Sequence, residues 1–300
     1  MRESPKLYCL QKPTTLEKKI VDNGGNGLSS TEWRMFSNGE LFVSLNHTNK
    51  NAVVLGHAGP PNENFFATNL LLDTLRRSGS ERILLVLPYF GYSRQDRLKK
   101  EGDPVTVQMI LRTFACNGCQ KIITIDLHSE RIIEDSPIEI SDISMMPLFA
   151  QELKSELTDT EYTVVSPDTG GIKQAQLFCK ELKTKNIVVL DKKRDEMGNV
   201  KAAGLNGKVR GFTAVIVDDI LDTGGTISEA VKLLRDHGFT RFYLCVTHAL
   251  FSLSAVSIIR DIGFERILVS NTIDLPESVL NKLRITLVDA SKIIEQSIYD

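Results

Sequence analysis

Fourteen residues in the last third of the chain, Ala214 to Ile227 (AVIVDDILDTGGTI), gather the groups needed to hold a phosphorylated sugar. Ala214 to Val217 reads as a short buried strand, Asp218, Asp219 and Asp222 supply carboxylates at its end, and Thr223 to Thr226 is a glycine-bearing turn. A helix follows, because Ile227, Ala230, Val231 and Leu234 recur at the spacing of one apolar face. Gly224 and Gly225 let the backbone turn tightly and approach a ligand, and the free N–H groups of the helix N-terminus then face a phosphate. The carboxylates would repel that phosphate, so their partners are sugar hydroxyls or a metal ion. An ordinary strand-to-helix turn also uses Asp, Thr and Gly. Two adjacent acids straight after an apolar strand, with a third three residues on, shift the weight toward a ligand.

Other polar clusters also follow apolar runs. In Leu85 to Arg97 (LVLPYFGYSRQDR) a strand stops at Pro88, which cannot donate to a ladder, and Arg94, Gln95, Asp96 and Arg97 then stand beside Tyr89, Phe90 and Tyr92. Arginine can grip phosphate through two parallel hydrogen bonds or stack on a purine. On spacing alone, a solvated loop whose aromatic rings plug the core is an equal reading. The charge run Asp191 to Glu196 precedes Met197 to Gly207, a stretch with three glycines and little periodicity. That pattern predicts a solvated loop, compatible with a basic flap that closes over an anion. Asp168, in Ser166-Pro167-Asp168-Thr169-Gly170-Gly171, has the oxygen donor that Mg2+ prefers, whereas His128, in Asp126-Leu127-His128-Ser129, reads by itself as a cap on the following turn. Asp126 orients that loop rather than binding metal. Phe36 to Glu40 (FSNGE) reads as a β-turn before a strand at Leu41 to Leu45.

The elements that must position these residues alternate along the chain. Strands are predicted at Ala52–Leu55, Arg82–Leu87, Lys121–Asp126, Thr163–Ser166, Ile187–Leu190, Thr213–Val217, Phe242–Thr247 and Arg266–Val269. Helices are predicted at Glu63–Arg77, Val105–Cys116, Met145–Leu157, Gly171–Leu182 and Thr226–His237. Such alternation builds parallel α/β sheets that bind ligands at the carboxyl ends of their strands. Ile122–Ser129 and Ala214–Thr223 are both apolar strands ending in acid-rich turns, which suggests two similar halves joined near Ser141 to Met146.

A chain of 300 residues can bury one large core or two smaller ones. With 36 basic and 38 acidic residues the formal charge is -2, so no general attraction draws it to nucleic acid or to an anionic membrane. The longest apolar run, around Ile83 to Leu87, is too short to span a bilayer, and Met1-Arg2-Glu3 opens no signal-peptide core, so a cytoplasmic protein is expected. Cys116 and Cys119 are spaced CxxC but have no second pair to complete a zinc site; all five cysteines read as reduced and structural.

Taken together, LVLPYFGYSRQDR, IDLHS, VVSPDTGG, DKKR, VDDILDTGGTI and FSNGE occur in the order and at about the spacing found in the ribose-phosphate pyrophosphokinase family, which the chain resembles from Phe36 nearly to its C-terminus. The resemblance implies an α/β fold of two tandem phosphoribosyltransferase-like domains, each a mainly parallel sheet flanked by helices. These would span residues 1–142 and 143–300, the last helix packing back on the N-terminal domain. It implies transfer of the β,γ-diphosphoryl group of Mg-ATP to the anomeric hydroxyl of ribose 5-phosphate, giving phosphoribosyl pyrophosphate and AMP. Mg2+ is the implied cofactor, and a homo-oligomer built from dimers the implied assembly.

By the same resemblance Lys192 and Arg194 are catalytic, and His128 and Asp168 hold the metal of Mg-ATP. Arg94 and Gln95 contact ATP. Phe36, Asn38, Gly39 and Glu40 form an adenine site reaching in from a neighbouring subunit. Asp218 and Asp219 meet the ribose hydroxyls, Asp222, Thr223, Gly224, Gly225 and Thr226 cradle the 5-phosphate, and Arg194 also faces the sugar phosphate. The chain departs from the family pattern at Lys100–Pro104, which lacks a Ser-Arg pair used in phosphate and ADP regulation, and at Ile132–Asp135, where longer members are rich in aromatics. Activity without phosphate activation is therefore expected. Two alternatives are a phosphoribosyltransferase of single activity, sharing only the ribose-phosphate loop, and a non-catalytic synthetase-associated subunit.

Overall fold

The architecture was taken from a computed structural model, which describes residues 4–23, 28–158, 161–194 and 200–299, the side chains of 192–194 and 200–203 left aside. The chain forms two units, Met1–Ile143 with Ala290–Asp300, and Ser144–Asp289. No helix among the described residues is long and apolar enough to cross a membrane.

In the first unit the elements run β1 (Lys6–Cys9), α1 (Thr15–Asn23), β2 (Thr31–Met35), β3 (Leu41–Leu45), β4 (Asn51–Leu55), α2 (Glu63–Arg77), β5 (Arg82–Leu87), α3 (Thr106–Cys116), β6 (Cys119–Ile125), α4 (Arg131–Glu134) and β7 (Glu139–Ile143). The five strands β1-β4-β5-β6-β7 make one sheet, and every pairing in it is parallel. Strands β2 and β3 stand apart as an antiparallel hairpin. Parallel strands covered on both faces read as continuous apolar runs, and Val53, Val54, Leu55, Leu85, Val86, Leu87, Ile122 and Ile123 are all buried. The C-terminal helix α10 (Ser291–Tyr299) packs on α1.

The second unit runs α5 (Met146–Leu157), β8 (Tyr162–Ser166), a 3-10 turn (Thr169–Gly171), α6 (Ile172–Glu181), β9 (Ile187–Arg194), β10 (Val200–Gly207), β11 (Thr213–Leu221), α7 (Gly225–Asp236), β12 (Arg241–Ala249), α8 (Ala255–Ile262), β13 (Arg266–Ser270), α9 (Glu277–Leu283) and β14 (Ile285–Val288). Its sheet has the order β10-β9-β8-β11-β12-β13-β14, parallel except for β10. From β8 the chain first builds outward to β9 and β10, then returns to lay β11 on the other side of β8. Strand order reverses between β8 and β11, the position where open α/β sheets hold ligands beyond the carboxyl ends of their strands. Helix α7 is fastened by its predicted apolar stripe of Ile227, Ala230, Val231 and Leu234, all buried. Truncating a leucine such as Leu234 to alanine in this setting costs about 2–5 kcal/mol.

Two expectations are corrected. The run Asp191–Arg194 does not begin a structureless loop: it completes β9, which pairs antiparallel with β10 from Gly207 back to Val200. Main-chain ladder bonds are indifferent to side-chain polarity, so the charges and glycines that hide this ribbon from periodicity do not prevent it. Likewise Asp218 and Asp219 lie within β11 rather than beyond it, because β12 runs on to Ala249 and keeps pairing as far as Leu221. Strands β1, β2, β7 and β14 and helices α1, α4, α8 and α9 extend the predicted set.

Candidate functional site

The switch point in the second unit carries the acids. Asp168 follows β8 and caps the 3-10 turn, its Oδ1 accepting from the amides of Gly170 (3.0 Å) and Gly171 (3.3 Å). Gly171 is required there, since a Cβ would lie 2.6 Å from the Ser166 hydroxyl. Ser166 in turn donates to the Asp168 carbonyl at 2.7 Å. On the neighbouring β11, the Asp219 amide donates to Asp218 Oδ1 at 3.0 Å. Burial raises the Asp218 pKa well above the usual carboxylate range, and the charges of Asp219 and then Asp168 push it further. Three acids that repel one another at the end of a sheet form a cation-seeking or hydroxyl-seeking surface.

Beyond Asp222 the chain turns through Gly224, whose φ of +81° places it in the left-handed region that glycine enters without strain. Gly224 is the N-cap of α7, and no side chain caps the helix. The amides of its first turn are therefore presented to an incoming anion, reinforced by the helix dipole. Thr223, Gly225 and Thr226 are exposed around this turn. The loop after β12 braces it from behind: Leu250 and Ser252 donate to the carbonyls of Leu221 (2.8 Å) and Asp222 (2.9 Å), and Gly224 abuts Ala255 and Ile258. Sequence reasoning missed this brace, because its partners lie some thirty residues away and no local pattern marks them. Lys192 and Arg194 lie on β9 opposite Ala202 and Val200 of β10, and their side chains fall outside the described residues.

The remaining candidates belong to the first unit. Phe36–Glu40 is the turn of the β2–β3 hairpin, closed by bonds from the Phe36 amide to the Glu40 carbonyl (2.8 Å) and from the Gly39 amide to the Phe36 carbonyl (2.9 Å). Asn38 Oδ1 accepts from the Glu40 amide at 3.2 Å, and Phe36 stays 44% exposed with its ring edge-on to Phe42. Arg94 and Gln95 are exposed on the loop after β5, Gln95 accepting a hydrogen bond from Thr106. His128 is exposed after β6. Asp126, two residues earlier, is buried at a φ of +39°, while the Leu127 amide donates to Asp142 at 2.9 Å.

Among the described residues no three His, Cys, Asp or Glu side chains converge as a ready chelating cluster. Asp168 fits as a donor to a divalent metal, its carboxylate being the kind of oxygen ligand that Mg2+ takes.

The fold defines a protein of the phosphoribosyltransferase type, with acids and an uncapped helix N-terminus at its switch point. A family model described as the N-terminal domain of ribose phosphate pyrophosphokinase matches residues 5–118, and a phosphoribosyl transferase domain model matches residues 136–253. The chain is 33% identical over 272 residues to a ribose-phosphate pyrophosphokinase of Thermosipho africanus, covering 89% of this chain and 86% of that one. It is 32% identical over 281 residues to ribose-phosphate pyrophosphokinase 1 of Streptococcus mutans, covering 92% and 87%. A crystal structure of phosphoribosylpyrophosphate synthetase from Mycobacterium smegmatis matches the fold with a TM-score of 0.88 at 24% identity, covering 99% of this chain and 98% of that one. The chain belongs to the ribose-phosphate pyrophosphokinase family, enzymes that pass the diphosphoryl group of ATP to ribose 5-phosphate. Agreement over nearly the whole length sets aside a phosphoribosyltransferase of single activity.

Proposed function

We propose that this chain makes phosphoribosyl pyrophosphate and AMP by using the β8/β11 switch point for ribose 5-phosphate and the loops of the first unit for ATP. The observation that carries the reading is the uncapped N-terminus of α7 directly after the acids of β11, which sets a phosphate site beside a hydroxyl site. The 5-phosphate accepts from the amides and hydroxyls of Thr223 to Thr226, and Asp222 closes that turn. Asp218 and Asp219 accept from the ribose 2- and 3-hydroxyls, which brings hydrogen-bond donors to carboxylates that otherwise repel one another. The anomeric hydroxyl is left free to attack the β-phosphorus of ATP.

Mg2+ bound at Asp168 would neutralise phosphate oxygens and so lower the barrier to diphosphoryl transfer, and His128 is the first unit's candidate donor to the metal of Mg-ATP. Lys192 and Arg194, carried on the β9–β10 ribbon, donate to the transferring oxygens and to the departing AMP phosphate, where charge grows as the bond breaks. Arg94 and Gln95 orient the nucleotide, and Phe36, with Asn38, Gly39 and Glu40, supplies the adenine site from the hairpin of a second copy in a homo-oligomer. The test is a coupled assay of nucleotide release. AMP should appear only when ATP, Mg2+ and ribose 5-phosphate are all present; ADP as the product, or AMP released equally without the sugar, would contradict it.

A further inference from the structure

Helix α1 opens with a capping box that is unusual in being buried. The Glu17 amide donates to Thr14 Oγ1 at 3.2 Å and the Thr14 amide donates to Glu17 Oε2 at 2.7 Å, yet Glu17 is 0% exposed. A capping-box carboxylate ordinarily faces water; a buried one is costly unless paired. The second oxygen, Oε1, has no aligned hydrogen-bond donor and lies 3.1 Å from Nε2 of His57, in the segment that follows β4. Its surroundings are otherwise apolar enough that burial and the Glu17 charge together raise the Cys9 thiol pKa. This contact with the buried carboxylate therefore helps to fix where His57 stands.

His57 is fixed from a second side by α2. Its amide donates to the buried Thr68 hydroxyl at 3.1 Å, and the same hydroxyl lies 2.9 Å from the carbonyls of His57 and Asn64. Two residues on, Gly59 lies against Gly91 so closely that a Cβ on Gly91 would fall 2.3 Å from the Gly59 Cα. The Tyr89 ring packs on Gly59 as well, and Tyr92, at a φ of +65°, donates its hydroxyl to Asn62. The segment from His57 to Asn62 is thus the bed of the loop that carries Arg94 and Gln95, and the Gln95 amide ties that loop to the Tyr92 carbonyl at 2.8 Å.

We propose that His57, held by the buried carboxylate of Glu17, is a positioning residue for ATP, setting the Tyr89–Gln95 loop through the Gly59–Gly91 contact. This rests on the reading that Arg94 and Gln95 contact the nucleotide. Releasing the pair lets the bed shift by a fraction of an ångström, enough to misplace a guanidinium without unfolding the unit, whereas the sugar site of the second unit keeps its geometry.

The test uses the full-length chain with His57→Gln, His57→Lys and Arg94→Ala, each checked for folding by thermal melting and assayed with both substrates varied. His57→Gln is expected to raise KM for ATP roughly tenfold with KM for ribose 5-phosphate unchanged, and His57→Lys, which places a long-armed cation beside Glu17, to recover most of the loss. Equal changes in both KM values, a fall confined to kcat, or unfolding of both His57 variants would overturn the proposal in favour of a purely structural pair. A normal KM for ATP in Arg94→Ala would instead remove the nucleotide reading of the loop. A raised value there, with His57→Gln normal, would overturn only the positioning role.

Discussion

Replacing Asp218 by Asn should stabilise the protein while disabling it. In the unfolded chain this carboxyl titrates near pH 4, as a free aspartate does, at about 3.9. In the fold, burial, Asp219 and Asp168 all raise its pKa. An acid whose folded pKa is raised favours the folded state only below its unfolded pKa, and that advantage is lost as pH rises toward the folded pKa. Wild type therefore carries a growing penalty from about pH 4 upward, which levels off at the folded pKa of Asp218. Asparagine removes the charge and keeps a carbonyl oxygen to accept from the Asp219 amide, the 3.0 Å bond seen here. Stability gained by relieving functional strain is commonly about 0.5–2 kcal/mol, and each kcal/mol raises the melting temperature of a unit this size by about 2–4 °C. The assay is thermal melting of ligand-free wild type and Asp218→Asn from pH 4 to 8.5. The two curves should meet near pH 4 and separate with pH, the variant melting higher; adding ribose 5-phosphate with Mg2+ should raise wild type more than the variant. A variant that melts lower at pH 8, or by the same margin at every pH, would refute the electrostatic reasoning.

Leu253 offers a second gain without that loss of function: it sits at a φ of +53° and is 89% exposed, so Leu253→Gly should add about 0.5–1 kcal/mol to stability in a denaturant titration at unchanged activity. Destabilisation would mean that the exposed side chain makes stabilising contacts that outweigh its backbone strain. Thr226→Ala should raise KM for ribose 5-phosphate by about 10- to 100-fold, the loss of one hydrogen bond to a charged group, and spare KM for ATP; the reverse pattern would give the loop to the nucleotide. Lys192→Ala should lower kcat by about 10²- to 10³-fold with the fold intact. Mixed with Phe36→Ala under subunit exchange, it should regain activity above the sum of the separate variants, because a paired site then carries neither lesion. Exchange verified by mass without such recovery would place Phe36 in its own chain's site or in folding alone.

What the sequence reveals of this protein follows the range of the forces involved. Asp218 to Thr226 is legible because a strand, its acids, a left-handed glycine and a helix N-terminus are local and contiguous, and Asp168 with its two glycines is legible for the same reason. The β9–β10 ribbon is hidden, since Asp191–Arg194 and Val200–Gly207 pair through main chain that leaves no periodic trace. The extra length of β11 is hidden too, because it depends on how far β12 runs beside it. The brace at Leu250 to Ala255 and the Glu17–His57 pair depend on residues that meet only after the sheets form. Motif order points to the family, whereas these supports become visible only in the fold.

The central claim, that ribose 5-phosphate lies on the first turn of α7, is tested most directly by amide hydrogen exchange in the full-length protein. Ribose 5-phosphate alone should slow exchange in peptides spanning Leu221 to Val231, where the N-terminal amides of α7 have no side-chain cap, and ATP alone should leave them little changed. Protection of that turn by ATP but not by the sugar phosphate, or sugar-dependent protection confined to other parts of the chain, would contradict the account.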